Sequence, residues 1–208
     1  MTKVITINAD KLAEKIAEAA IGEFIPTLTK RITKAKFNKA GGVDVDFESN
    51  ATIMDPNTGK PVELISDQLH KGRYFAHQDL VDAFVMLRSH MAFICDLPEA
   101  RDLTLHELED DDTLLNKIMI TGMSLGGDGE HEGVTVIGMK ILNSGKVLNL
   151  VAPFTKFVDE NQPYLYGDEL RHITDHVSHE VLLYVEGKYA PSAQQELDFE
   201  NGFDEELE

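Results

Sequence analysis

The chain has 208 residues, of which 42% are hydrophobic and 27% are charged, and its formal net charge is −18. This composition is typical of a folded globular protein and excludes a wholly disordered chain. No stretch approaches the ~18 apolar residues that a membrane span needs, so we expect a cytoplasmic protein with no membrane partner. The single cysteine, Cys95, excludes an intrachain disulfide, and its apolar neighbours predict a buried thiol.

The first half of the chain contains two predicted helices and a predicted hairpin. Residues 9–24 carry apolar side chains at helical spacing after Asp10, which is a suitable N-cap. The alternating residues 43–47 predict a half-buried strand, and the Asp-Pro-Asn-Thr-Gly run at 55–59 predicts the turn of a hairpin. An apolar stripe along residues 78–95 predicts a helix that faces the core.

The second half contains a predicted meander followed by a helix. After an acidic connector at residues 107–112, strands are predicted at 117–125, 133–142 and 146–151, with glycine-containing turns between them. Residues 168–185 return to helical spacing. The order of elements predicts an α+β fold, in which an antiparallel β-meander and hairpins pack against two to three helices.

A duplicated unit is an alternative description of the same order. Strands followed by a helix occur twice in the predicted sequence of elements. Tyr74-x5-Leu80 in the first unit has a counterpart in Tyr164-x5-Leu170 in the second. This one matched spacing is the basis of the alternative, a duplicated strands-then-helix unit.

No residue pattern marks an enzyme active site. The glycine-rich residues 126–129 lack the lysine and the Ser or Thr of a phosphate-binding loop, so we expect a hairpin tip. His172, Asp175, His176 and His179 share one helical face and could converge on a metal, but that face is opposite the apolar stripe and fits a solvated surface. We therefore expect no enzyme, no cofactor and no metal, and keep a metal-dependent enzyme centred on these histidines as a third alternative.

Residues 30–40 form the one basic segment of this acidic chain. Five cations and no acid occur there, and Lys and Arg neutralise phosphates by counterion release. An aromatic ring among them could stack on an unpaired base. The candidate nucleic-acid-binding residues are Lys30, Arg31, Lys34, Lys36, Phe37 and Lys39. The alternative is structural: the lysines protect the edge of a strand, or the segment is a linker that meets the acidic surface.

The end of the chain differs from the rest in composition. We divide the chain into an N-terminal helix and connector at 1–29, an α+β body at 30–190 and a disordered acidic tail at 191–208. Within residues 194–208 seven of fifteen side chains are acidic and none is basic, and spaced hydrophobes would suit a basic, apolar groove on a partner. The candidate partner-binding residues are Gln194, Leu197, Phe199 and Phe203. The alternative is a tail that only solubilises the protein.

Two resemblances give these segments a context. The tail resembles the acidic C-termini of bacterial and phage single-stranded-DNA-binding proteins, which recruit partners and compete with DNA for the protein's own basic groove. Gln194-x2-Leu197-x-Phe199 is similar to the peptide by which many bacterial proteins bind the replicative sliding clamp. The body, through residues 77–84 and the hairpin within 120–150, resembles uncharacterised early or replication-module proteins of tailed phages, which implies the host cytoplasm.

These observations lead to two main hypotheses of function. In the first, the chain is an accessory protein of phage DNA replication or recombination, binding single-stranded DNA weakly and recruiting a replication or recombination protein, with the sliding clamp as one candidate. The tail carboxylates would occupy the basic segment until DNA or a partner displaces them. In the second, the chain is an acidic protein-interaction module, or a DNA-mimicking inhibitor of a host DNA-handling protein.

Overall fold

The structure is a computed structural model that describes residues 3–19, 27–55, 58–161 and 163–191. The strands are β1 (Lys3–Thr6), β2 (Thr27–Phe37), β3 (Val43–Met54), β4 (Pro61–His70), β5 (Ile118–Gly126), β6 (Gly133–Ile141), β7 (Val147–Val151) and β8 (Thr155–Lys156). The helices are α1 (Ala9–Ala19), α2 (Gln78–Val85), α3 (Leu87–Ile94), α4 (Leu105–Glu109), α5 (Asp112–Leu115) and α6 (Gly167–Val185). None of the described helices is long and apolar enough to cross a membrane.

The strands form one sheet in the order β1-β4-β3-β2-β5-β6-β7, and β8 pairs with β6 beyond the end of β7. Neighbouring strands are antiparallel except β1, which is parallel to β4. The predicted α+β fold is confirmed. The sheet consists of two meanders, β2–β4 and β5–β7, which meet where β2 and β5 pair, and each meander leads into a helical segment.

Local sequence signals explain most of these elements. The alternation that predicts a strand at 43–47 continues through β3, whose odd-numbered residues are buried from Val43 to Ile53. The apolar stripe at 78–95 is buried at Leu80, Phe84, Leu87 and Met91, but Met86 divides the predicted helix into α2 and α3.

The acidic connector predicted at 107–112 is instead helical. Thr104 forms a capping box at the start of α4: its hydroxyl accepts a hydrogen bond from the Glu107 N–H, and the Glu107 carboxylate accepts one from the Thr104 N–H. Asp111 caps α5 in a similar way through the N–H of Thr113. Acidic side chains near helix N-termini are favourable, which is why this acidic run is compatible with two short helices.

The described helices all pack on one face of the sheet. The main core joins α2, α3 and α6 to residues such as Val45 and Phe47 of β3, and a second cluster joins Leu12 of α1 to Ala51 and Leu64. Both clusters use the odd-numbered side of β3, so the even-numbered side faces away from every described helix. Antiparallel sheets commonly leave one face to solvent.

The sequence did not predict β1 or β2 as strands. The buried residues of β2 are Ile32 and Ala35, and Phe37 also contacts the core, so the spacing is three and then two. A register shift between Ile32 and Lys34 adds one residue at this point, which hides the alternation. At Lys34 and Lys36, β2 has β3 and β5 on its two sides, so these two lysines do not protect a sheet edge.

Candidate interaction surface

The even-numbered side of β3 belongs to a broad surface that we call the open face. Asp44, Asp46, Glu48 and Asn50 lie on it, all half-buried by their neighbours. Residues directly opposite one another in an antiparallel pair share a face, so the strand registers define the rest of this surface. The open face has a charged half, formed by β4, β3 and β2, and an uncharged half, formed by β5, β6 and β7.

In the charged half, each cation of β2 lies opposite an acid of β3. The register pairs Lys34 with Asp46, Lys36 with Asp44 and Arg31 with Glu48. The Lys34 Nζ is 3.9 Å from the Asp46 Oδ2. The positive charge that β2 places on the open face is therefore balanced by β3, and two further acids, Glu63 and Asp67 of β4, make the half acidic overall.

Arg31 and Asp44 have additional partners that hold them in place. The Arg31 guanidinium contacts Asp128 at 2.8 Å and donates to the carbonyl oxygen of Gly127 at 2.6 Å, which ties β2 to the loop after β5. The Asp44 carboxylate accepts hydrogen bonds from Asn38 and Lys71, and these contacts lower the pKa of Asp44 below its ordinary value.

The uncharged half carries exposed or half-buried apolar side chains on three adjacent strands. Met119 lies opposite Met139, Ile137 opposite Val151, and Ile141 opposite Val147. We call these six residues the apolar patch. The exposed fractions are 65% for Val151, 56% for Val147, 45% for Met119 and 39% for Ile141. The remaining paired positions on this half are also uncharged, so the patch is continuous; they are Gly122, Ser124, Gly126, Gly133, Thr135 and Asn149.

Sequence reasoning did not single out the apolar patch, although a signal for it exists. In β6 the successive residues Val136, Ile137, Gly138 and Met139 leave neither face polar. A strand of this kind is typical of a sheet covered on both faces. The structure buries Val136 under the helices and leaves Ile137 and Met139 on the open face.

The structure separates the six predicted nucleic-acid-binding residues. Arg31, Lys34 and Lys36 lie together on the open face, and Lys39 is exposed in the turn after β2. The other two lie on the helical side.

Lys30 and Phe37 are held there by α6 and α2. The Lys30 Nζ forms an ion pair of 3.0 Å with Glu186 just after α6. The Phe37 ring meets the Phe84 ring edge to face, with 5.0 Å between centroids. Because this ring is engaged with the core, the base-stacking role predicted for Phe37 does not fit its position.

The four predicted partner-binding residues of the tail, Gln194, Leu197, Phe199 and Phe203, lie outside the described residues. The face of α6 that carries the predicted metal candidates lies within the described residues. His172, Asp175, His176 and His179 are all exposed to solvent. In the described part of the chain, no three His, Cys, Asp or Glu side chains are placed to hold a metal ion.

A cavity of about 630 Å³ lies on the helical side of the molecule. Its apolar wall includes Leu105, Leu115 and Ile173, and its polar groups include Arg88 and Glu109. The Ser89 hydroxyl donates to the Glu109 carboxylate at 2.9 Å. The lining of the cavity comes from α2, α3, α4, α5 and α6 and from Met86, which lies between α2 and α3. Because these segments are separated in the chain, no sequence motif predicts the cavity.

The open face and this cavity are thus two candidate interaction surfaces within the described residues. The open face combines apolar contact area with a charged border. Comparisons of the chain with models of protein families, with curated proteins and with solved structures found no match.

Proposed function

We propose that this protein is an acidic protein-interaction module that binds a basic protein through the open face of its sheet. The observation that carries this proposal is the apolar patch, an uncharged and exposed surface on an otherwise strongly acidic chain. Continuous exposed apolar surfaces of this kind are typical of protein–protein contacts, where they supply the buried centre of the interface.

The charged half of the open face supports the proposal that the partner is basic. It presents five acids, Asp44, Asp46, Glu48, Glu63 and Asp67, against Arg31, Lys34 and Lys36, and Lys71 beside Asp44 adds a fourth cation. Together with the net charge of −18, this arrangement favours a positively charged protein surface, because complementary charge speeds association and selects among partners. The acidic tail would extend the same preference if its hydrophobes enter a groove on that partner.

The open face also bears on the first hypothesis, a DNA replication or recombination accessory. Lys34 and Lys36 are exposed on one surface, which favours contact with a phosphate backbone. Each lysine, however, lies opposite a carboxylate, and Phe37 packs against the core. The interaction module therefore accounts for more of the observed surface, and single-stranded-DNA binding remains the second candidate.

The first test places a photo-cross-linking amino acid at Met139, in the centre of the apolar patch, and exposes the full chain to a bacterial lysate. The proposal predicts one main adduct with a basic protein. The matched control carries the same amino acid at Leu165, which is 81% exposed just before α6, and should not give that adduct. Equal adducts at both positions, or none at Met139, would contradict the proposal.

Single-stranded DNA is tested directly by fluorescence anisotropy at low salt, with the full chain and with a chain that ends at residue 193. The interaction module predicts no binding by either chain. Binding that appears on truncation and is lost in the double variant Lys34→Gln/Lys36→Gln would instead establish the DNA-binding hypothesis, because those lysines would then carry the phosphate contacts.

A further inference from the structure

We infer that β7 pairs with β7 of a second copy of this chain, so that two sheets join edge to edge about a two-fold axis. Strand β7 is the last strand of the sheet and pairs only with β6 among the described residues. This inference goes beyond the proposed function, since it concerns the free edge of the sheet and not the centre of the open face.

The backbone of β7 has its hydrogen-bonding groups arranged for another strand. The Ala152 N–H donates to the Val136 carbonyl oxygen at 2.9 Å, so the backbone groups of Ala152 face β6. In an antiparallel ladder these directions alternate, which places the groups of Leu148 and Leu150 toward β6 as well. The N–H and C=O groups of Val147, Asn149 and Val151 therefore point away from the sheet, toward solvent.

The sequence of β7 is a palindrome, Val147-Leu148-Asn149-Leu150-Val151. An antiparallel pair centred on Asn149 places Asn149 opposite its counterpart and Val147 opposite Val151 of the second copy. These are the residues whose backbone groups point outward, so each of the three facing pairs exchanges two hydrogen bonds. A two-fold interface requires such a self-complementary surface.

The side chains fit this register too. Val147, Asn149 and Val151 lie on the open face, so the apolar patches of the two copies become neighbours across the new strand pair. Natural sheets protect their edges with charges, proline or bulges, and none of these occurs between Val147 and Val151. The nearest charge, Lys146, comes opposite Ala152 of the second copy, so the two lysines are kept apart.

The size and charge of the contact determine how the dimer should behave. A pair of five-residue strands buries less surface than the ~1,200–2,000 Å² of a standard stable interface. We therefore expect a reversible equilibrium in which the dimer fraction rises with protein concentration. Two chains of net charge −18 repel each other, and salt screens that repulsion. Dimerisation should therefore strengthen as ionic strength rises.

The test is sedimentation velocity on the full chain over a range of concentrations, with two double variants that change the same two positions. Val147→Lys/Val151→Glu places opposite charges across both ends of the proposed pair and should remain dimeric. Val147→Lys/Val151→Lys places like charges there and should be monomeric. Both positions are more than half exposed, so the monomer fold should tolerate the changes, which circular dichroism checks.

A wild-type chain that stays monomeric at every concentration would overturn the inference without any variant. Two double variants that behave alike would also overturn it, because the opposite-charge and like-charge pairs would then not face each other. Neither result affects the cross-linking test at Met139, so failure of the strand pairing and failure of the proposed function are distinguishable.

Discussion

His90 shows how one buried side chain can couple the stability of this fold to pH. It lies on α3 with no exposed surface, and its Nδ1 is 2.9 Å from the Tyr164 hydroxyl oxygen. Its Nε2 has no partner among the described residues. Burial disfavours the charged imidazolium and lowers the pKa of His90 to about 4, and burial also raises the pKa of Tyr164.

We predict that His90 makes the folded state less stable in mild acid. Its pKa is about 4 when folded and 6.5 when unfolded, so below pH 6.5 the unfolded chain binds a proton that the folded chain does not. Between pH 7 and pH 5 this difference removes roughly 2 kcal/mol of the free energy of unfolding. Urea unfolding at the two pH values should show this loss in the wild type.

The variant His90→Asn is the control for this prediction, since Asn keeps a polar group near Tyr164 but does not titrate in this range. Its free energy of unfolding should be lower at pH 7 but should fall less between pH 7 and pH 5. Equal losses in the wild type and the variant would mean that His90 is protonated in the folded state.

At the scale of elements, the pairing of β2 with β5 connects the two meanders of the sheet. Only three residue pairs make up this contact in the described register, Lys34 with Ser124, Ala35 with Met123 and Lys36 with Gly122. Gly122 permits the close approach, because a Cβ added there would lie 2.6 Å from the carbonyl oxygen of Ala35. That neighbour is backbone, which cannot move aside without disturbing the pair.

We predict that Gly122→Ala lowers the free energy of unfolding by about 1–3 kcal/mol, because the added methyl group forces β2 and β5 apart. The matched control is Gly126→Ala at the end of the same strand, where the nearest atom to an added Cβ is Phe154 Cε2 at 3.5 Å. That contact is ordinary, so the control should change stability by less than about 1 kcal/mol. Urea unfolding followed by circular dichroism gives both values, and similar losses in the two variants would contradict this account of the junction.

Two of the elements that were predicted from the sequence, α6 and β3, have an undisturbed period. The residues of α6 keep helical spacing throughout, and β3 alternates without interruption, so both were found. Strand β2 was missed because the extra residue near Thr33 shifts its period, and β1 because four residues carry too little pattern. The capping box of Thr104 and Glu107 could have indicated a helix from the sequence, but the acidic run at 107–112 was interpreted as a connector.

At the scale of the whole molecule, the net charge of −18 opposes folding through repulsion between like charges. Ion pairs such as Lys30 with Glu186 and Lys140 with Glu99 offset part of this repulsion locally. Salt screens both effects, and the sign of the change in stability shows which one dominates.

We predict that the repulsion dominates, so raising NaCl from low to moderate concentration should stabilise the fold by about 1 kcal/mol, or ~2–4 °C in Tm. Thermal unfolding followed by circular dichroism measures the shift, and KCl should give the same result as NaCl if screening is the cause. A Tm that falls with salt would show that the ion pairs outweigh the net charge.

The candidate interaction surface depends on contacts between strands that are set only in the folded molecule. The composition, the acidic charge and the α+β class are properties of local sequence, because residue type and periodicity act within one element. The basic segment at residues 30–40 is a feature of the sequence, but its division between two faces follows from strand alternation and from the register of β2 with β3. That register also brings Lys34 opposite Asp46, two residues of different strands.

The amino-acid sequence by itself therefore determined which segments are strands and helices wherever their period is intact, and it determined the palindrome of β7. The tertiary structure alone decided that β7 is an edge, that one face of the sheet carries no described helix, and that six apolar side chains from three strands lie together on that face. The physical reason is that periodicity is a short-range property of the chain, whereas strand order and burial are set by contacts between residues far apart in sequence.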